Sequence, residues 1–215
     1  MTSAIDTVNL IVTLARRASQ LLVGLFAYGL AIALMILGGI GVPPWDVLSQ
    51  GVSLQTGLAF GLVTNLIGVV VLLLWIPIRQ KPGVGTVFNV LLIGPSAEVG
   101  LWLLPQQTEL WAQILFFAGG LVLVSIATGL YIGARFGPGP RDGLMTGIHR
   151  RTGWKLWVVR TAIEVTVLTI GWLLGGNVGI GTLAFALLIG PMVHVTIPLL
   201  LIPAATEKHP KKVFE

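Results

Sequence analysis

Hydrophobic residues fall in six long runs along the chain, and short polar or glycine-rich links separate them. The runs cover about 20–40, 58–78, 84–104, 111–134, 156–174 and 180–203. Each is close to the ~20 residues that an α-helix needs to cross the hydrocarbon core of a bilayer. Backbone groups in lipid need internal partners, and the short alternating segments of a membrane β-barrel are absent. The pattern therefore predicts an all-α polytopic membrane protein with six transmembrane helices.

The second half of the chain repeats the first at a constant offset (191 − 95 = 96). Gly-Val-Gly-Thr at 83–86 returns as Gly-Ile-Gly-Thr at 179–182, and Ile-Gly-Pro at 93–95 returns at 189–191. Because each half holds three spans, an odd number, the second half enters the membrane from the opposite side. We therefore predict two inverted three-helix repeats, over 20–105 and 111–203, as in many secondary transporters. A duplicated scaffold without transport is the alternative.

The basic residues predict the orientation of the spans. They cluster before the first span, between spans 2 and 3, between spans 4 and 5, and after the last span, whereas the other three links contain no Lys or Arg. Since basic links stay on the cytoplasmic side, both termini are expected to be cytoplasmic. Residues 1–19 would be a cytoplasmic or interfacial segment, as an amphipathic helix or a frayed terminus, and 204–215 a basic cytoplasmic tail.

The composition of the chain excludes several classes of function. Only 10% of residues are charged, against about a quarter in soluble domains, so a soluble enzyme is excluded. The net charge of +5 is spread over short clusters between apolar runs, which argues against nucleic-acid binding. With no cysteine, three histidines and no phosphate-binding loop, we expect no metal, no cofactor and no catalytic residues. An intramembrane enzyme acting on a lipid is a weaker alternative.

Two short segments carry acidic residues near their starts. Pro44–Asp46 and Pro140–Asp142 each open a segment that ends about a dozen residues later at Thr-Gly, which predicts short interfacial or re-entrant helices. Asp46 and Asp142 either cap these helices or line the two entrances of a cavity. Arg141, where the first half has tryptophan, fits the cytoplasmic face.

The third span of each half contains a Gly-Pro pair, Gly94-Pro95 and Gly190-Pro191. Proline removes one backbone hydrogen bond, and the adjacent glycine offers little resistance to bending. Paired helix breaks in corresponding spans point to a binding site at mid-membrane, and the alternative is a pair of plain kinks.

Four ionisable residues lie within the predicted spans. Glu98 and His194 follow the two prolines at matching positions and form a candidate proton or cation relay, unless each only bonds a neighbouring group. Arg160 and Glu164 are four residues apart, so they share a helix face and can form an ion pair. That pair is either structural or a substrate anchor.

These motifs resemble those of the YczE-like integral membrane proteins, which are related to the YitT group. The likeness covers about 40–203 and rests on Pro-Trp-Asp-Val-Leu-Ser-Gln-Gly at 44–51, Gly-Pro-Arg-Asp-Gly-Leu-Met at 139–145, Arg-Thr-Ala-Ile-Glu at 160–164 and the Gly-Ile-Gly-Thr…Gly-Pro run at 179–191. It implies a multi-pass protein of the bacterial plasma (inner) membrane. The motif residues are Asp46, Arg141, Asp142, Arg160, Glu164, Gly190 and Pro191.

The combined hypothesis is a secondary transporter or permease for a small polar or charged solute, with membrane lipids as its other partners and a homodimer left open. A non-transporting scaffold or regulatory protein is the main alternative.

Overall fold

A computed structural model describes the backbone of residues 2–202 and the side chains of residues 11–202. This part of the chain forms eight α-helices and no strand: α1 Thr2–Gly38, α2 Pro44–Thr56, α3 Phe60–Ile78, α4 Val84–Leu103, α5 Leu110–Gly133, α6 Pro140–Thr152, α7 Leu156–Leu173 and α8 Ile180–Leu200. Six are long and apolar enough to cross a membrane, with α1 contributing from Ile11. The predicted all-α fold with six spans and two short helices is therefore confirmed. The predicted tail at 204–215 and residue 203 lie outside the described residues.

The first span begins earlier than the sequence pattern suggested. α1 runs without a break from Thr2, so residues 2–19 are continuous with the span and do not form a separate interfacial helix. No glycine or proline precedes Gly24 to interrupt it. Arg17 donates from Nε to the Ala134 carbonyl and from Nη2 to the Arg135 carbonyl, both at 2.8 Å. A cation thus covers the carbonyl end of α5, where the helix dipole favours it.

The two short helices have the predicted bounds. Each begins with a proline in its first turn, where the missing N–H costs no hydrogen bond. Each ends at a glycine with φ of 72°, Gly57 after α2 and Gly153 after α6. Those glycines donate to the carbonyls of Ser53 and His149 at 2.8 and 2.9 Å. The repeated Thr-Gly dipeptide therefore stops both helices through a left-handed cap.

The helices α1 and α5, which begin the spans of the two halves, cross in antiparallel directions at the centre of the molecule. Gly24 lies against Ala127, and Gly120 lies against Ala31. The offset of 96 converts the first contact into the second with the partners exchanged. Small residues allow this close approach of the two backbones.

The same exchange holds at the starts of α4 and α8. Gly85 donates its N–H to the Phe136 carbonyl at 2.9 Å, and Gly181 donates to the Ile40 carbonyl at 2.8 Å. Reciprocal contacts of this kind are expected when a two-fold axis relates two similar units. The placement of that axis in the membrane plane stays a prediction.

The short helices pack on spans of the opposite half. α2 packs against α7, and α6 packs against α3. On the α6 side, the Trp75 ring lies against Gly143 and its Nε1 donates to the Pro140 carbonyl at 3.0 Å. On the α2 side, Gly171 lies against the backbone of Val47 and Leu48. These contacts hold the N-termini of α2 and α6 near the centre.

Candidate functional site

A cavity of about 580 Å³ lies between the two halves, and all eight helices contribute to its wall. Its volume falls within the roughly 300–1,000 Å³ typical of small-molecule sites. Most of the wall is apolar, and its ionisable side chains are Tyr28, Tyr131, Arg141, Asp142, Arg160, Glu164 and His194. Five of the seven ionisable residues singled out in the sequence therefore line one space.

The N-termini of both short helices face this cavity. Pro43 and Pro44 of the α2 start line it, as do Gly139 and Pro140 of the α6 start. The first turn of a helix carries backbone N–H groups without intrahelical partners and the positive end of the helix dipole. Packing on the opposite half thus brings both helix starts to one cavity, and that they mark its two entrances stays a prediction.

An ion pair joins the two helix starts. Arg141 Nη2 lies 3.4 Å from Asp46 Oδ1, and the Arg141 guanidinium stands over the Trp45 ring at 5.1 Å from its centroid. Asp46 is only 1% exposed, whereas Arg141 is 28% exposed and lines the cavity. Burial raises the pKa of Asp46, and the nearby Arg141 charge opposes that rise. Asp46 thus positions Arg141 from outside the cavity wall.

The second acid is held by a tyrosine. The Tyr131 hydroxyl donates to Asp142 Oδ2 at 2.7 Å, and the Tyr28 ring meets the Tyr131 ring edge-on with centroids 6.1 Å apart. Neither tyrosine was singled out in the sequence analysis. A signal was present, since the chain has only two tyrosines and both fall inside predicted spans.

The Arg160–Glu164 ion pair predicted on the fifth span is present. Arg160 Nε lies 2.9 Å from Glu164 Oε1, and the two side chains are 45% and 30% exposed. Both line the cavity from α7, and His194 lines it from α8. Arg160, Glu164 and His194 thus form a second polar group in the cavity, on different helices from Arg141 and Asp142.

Glu98 has a different position from its counterpart His194. Its Oε1 accepts a hydrogen bond of 2.6 Å from the Gly61 N–H in the first turn of α3, and it does not line the cavity. A carboxylate there stabilises the helix N-terminus. The structure therefore does not place Glu98 and His194 on one shared space, as the relay hypothesis required.

The predicted breaks at the Gly-Pro pairs do not interrupt the helices, because α4 continues through Pro95 and α8 through Pro191. In α4 the reason is visible. Asn65 Nδ2 donates to the Leu91 carbonyl, which lost its partner four residues on, at 3.4 Å. Asn65 Oδ1 accepts from the Gly94 N–H at 3.2 Å. One amide side chain thus satisfies both groups beside the proline.

In α8 the surroundings of the Gly-Pro pair differ. Gly94 is pressed against the Gly61 carbonyl and Asn65, whereas a Cβ added to Gly190 would meet no atom within 4 Å. Gly190 lines the cavity and is exposed.

Fold and cavity together define a polytopic membrane protein with an internal polar site. A family of unknown function, DUF6198, matches residues 15–198, and the chain belongs to this family. An uncharacterized protein of Haemophilus influenzae is 39% identical over 176 residues, covering 82% of this chain and 81% of that protein. The uncharacterized membrane protein YczE of Bacillus subtilis is 32% identical over 177 residues, covering 81% and 82%. The resemblance to YczE-like proteins is therefore confirmed.

A third relative, the uncharacterized protein YyaS of Bacillus subtilis, is 29% identical over 181 residues, or 82% of this chain and 90% of that protein. No solved structure matches the chain.

Proposed function

We propose that the protein is a secondary transporter or permease for a small polar or charged solute, which binds in the central cavity. The observation that carries the proposal is the meeting of two short-helix N-termini, Arg141 and Asp142 in one cavity between two similar halves. Discontinuous helices whose ends point at a substrate between repeats recur in secondary transporters. The reciprocal contacts of the halves support a site at their interface.

The ionisable residues have distinct roles in this proposal. Arg141 and the helix N-termini bind an anionic group of the solute, and Asp142, oriented by Tyr131, binds a cationic group or a proton. Asp46 positions Arg141. The protein resides in the bacterial plasma membrane with both termini cytoplasmic, as the distribution of basic residues favours. It acts without a catalytic reaction.

Uptake into proteoliposomes tests the proposal. A panel of amino acids, sugars, mono- and dicarboxylates and polyamines would be assayed with and without a pH gradient. We expect accumulation of at least one class, and its loss in Asp142→Asn and Arg141→Gln. Gly119→Ala is the control, because Gly119 has open space around it and does not line the cavity. Absence of uptake for the whole panel by a correctly folded protein would refute transport.

Glu98→Gln separates the relay hypothesis from the capping role. The amide keeps an acceptor oxygen for the Gly61 N–H, so uptake should stay at the wild-type rate if Glu98 only caps α3. Loss of proton-coupled uptake alone, with unchanged stability, would restore Glu98 to the transport mechanism.

The alternative is a membrane scaffold without transport. One observation favours it: Arg141 pairs with Asp46 and Arg160 with Glu164, so these charges have partners without a solute. A scaffold would show no uptake of any solute, and Asp142→Asn would leave that result unchanged.

A further inference from the structure

The backbones of α7 and α8 stand apart in the cavity wall. α7 packs against α2 and α6, and α8 packs against α5, yet the α7 and α8 backbones do not approach each other closely. In the first half, the corresponding helices α3 and α4 are closely packed. Both α7 and α8 nevertheless contribute to the cavity wall. This separation of the two backbones favours a gap that leads from the cavity to the outer surface of the helix bundle.

The sequence explains why this pair of helices stays apart. On α3 the face that meets α4 carries Gly61 and Gly68, and the two helices approach closely there. The matching positions on α7 are Trp157 and Glu164. Small residues let membrane helices pack closely, and two large side chains on the same face oppose it.

The fold indicates what surrounds the gap between α7 and α8. α7 and α8 are both candidate membrane spans, so the gap between them faces the bilayer along its length. Beside the polar groups of these two helices, the cavity surface carries apolar side chains on both sides of the gap, Ile163 on α7 and Phe185 and Ile189 on α8. A hydrocarbon chain leaving the bilayer would therefore meet an apolar path into the cavity.

A cationic group stands at the same opening. Arg160 contacts Glu164 through Nε, and its two terminal guanidinium nitrogens make no hydrogen bond within residues 11–202. Those nitrogens form a planar fork that suits a carboxylate or phosphate. His194 lines the cavity from the opposite side of the gap.

We infer that the solute is an amphipathic anion, one hydrocarbon chain ending in a carboxylate or phosphate, and that it reaches the cavity sideways from the bilayer between α7 and α8. Its chain lies along the apolar residues of α8, and its head group binds the terminal nitrogens of Arg160 at the opening before it reaches Arg141 and the helix N-termini. This assignment rests on the proposed transport site and names the class of molecule that the site takes.

Photolabelling of the full chain in phosphatidylcholine nanodiscs tests it. The probe is dodecanoate with a diazirine at its methyl end, and the labelled peptides are identified by mass spectrometry. We expect label on α7 and α8. Excess dodecanoate or dodecyl phosphate should reduce the label, whereas dodecyltrimethylammonium and dodecyl maltoside should not. The stronger of the two anionic competitors identifies carboxylate or phosphate as the preferred head group.

Three variants sharpen the result. Arg160→Gln should weaken the probe's binding about tenfold or more, as expected for loss of a charged hydrogen-bond donor. Gly190→Leu should block the gap while folding normally, because nothing lies within 4 Å of the added Cβ. Gly119→Leu is the matched control, since Gly119 has the same open space but does not line the cavity.

Equal labelling of all three variants, or competition by the cationic or neutral compounds, overturns the inference. Uptake of a polar solute without label on α7 and α8 overturns the sideways route and leaves the transport site standing. Label on α7 and α8 without uptake of any solute, dodecanoate included, keeps the amphipathic ligand and overturns transport.

Discussion

α3 and α4 close the first half of the molecule, whereas α7 and α8 leave the second half open. Gly94 of α4 rests against the Gly61 carbonyl of α3, and Asn65 bonds the groups beside Pro95. In the second half, Gly190 faces open space and the residue at the Asn65 position is Thr161. The glycines and prolines of the repeat are kept, but the side chains that bring two helices together are not.

The difference shows how one duplicated unit can serve two purposes. The shared features, the short helices with left-handed caps and the antiparallel α1–α5 crossing, set the overall architecture. A few substitutions on one face of α7 replace a closely packed helix pair by two helices whose backbones stand apart. In our proposal, function follows the places where the repeats disagree.

The largest effect on stability should come from adding a side chain between the closely packed helices α3 and α4. A Cβ at Gly94 would clash with the Gly61 carbonyl and Asn65, so Gly94→Ala should destabilise the protein by about 3 kcal/mol or more. Gly190→Ala, the matched change, should be neutral or stabilise by about 0.5–1 kcal/mol, because alanine favours the helix. Unfolding of purified protein in mixed micelles measures both. Equal effects would show that the two pairs are packed alike.

The next effect concerns the ion pair that joins α2 and α6. Arg141→Met leaves the buried Asp46 carboxylate without its partner and should cost about 1–3 kcal/mol near neutral pH. Burial already raises the pKa of Asp46, and loss of Arg141 raises it further. The folded state then binds more protons than the unfolded chain between the unfolded pKa of ~4 and the folded value. Stability should fall as pH rises through that window.

Asp46→Asn combined with Arg141→Met provides the control for this pH dependence. The amide cannot ionise, so the double variant should lose the fall in stability with pH. Unfolding profiles at several pH values would show it. A fall that persists in the double variant would assign it to another group.

Much of the fold, but less of the site, follows from the sequence. Hydropathy and Thr-Gly stops place the helices within a few residues, except that α1 begins at Thr2, because these signals are local. The position of Glu98 depends on which helix packs beside it, and here that is the start of α3. The meeting of the α2 and α6 starts depends on packing across the halves, which a linear pattern does not encode.

A smaller effect on stability should distinguish the surroundings of Pro95 from those of Pro191. Asn65→Leu removes both bonds to the groups beside Pro95 and should cost about 1 kcal/mol, since the bonds are long at 3.2 and 3.4 Å. Thr161→Val at the matching position should change stability by less than about 0.5 kcal/mol. In a Pro95→Ala background the Leu91 carbonyl regains its helical partner, so Asn65→Leu should cost less. An unchanged cost there would mean that Asn65 acts through packing.

The smallest effect on stability should come from the charges of Arg160 and Glu164 on α7. Arg160→Gln combined with Glu164→Gln should change the free energy of unfolding by less than about 0.5 kcal/mol, because the pair is partly exposed and joined by one bond. The first half carries Thr64 and Gly68 at these positions, so the helix does not need the charges to form. The same variant should lose dodecanoate labelling. A loss of several kcal/mol with labelling intact would mean that the pair holds α7 in place and binds nothing.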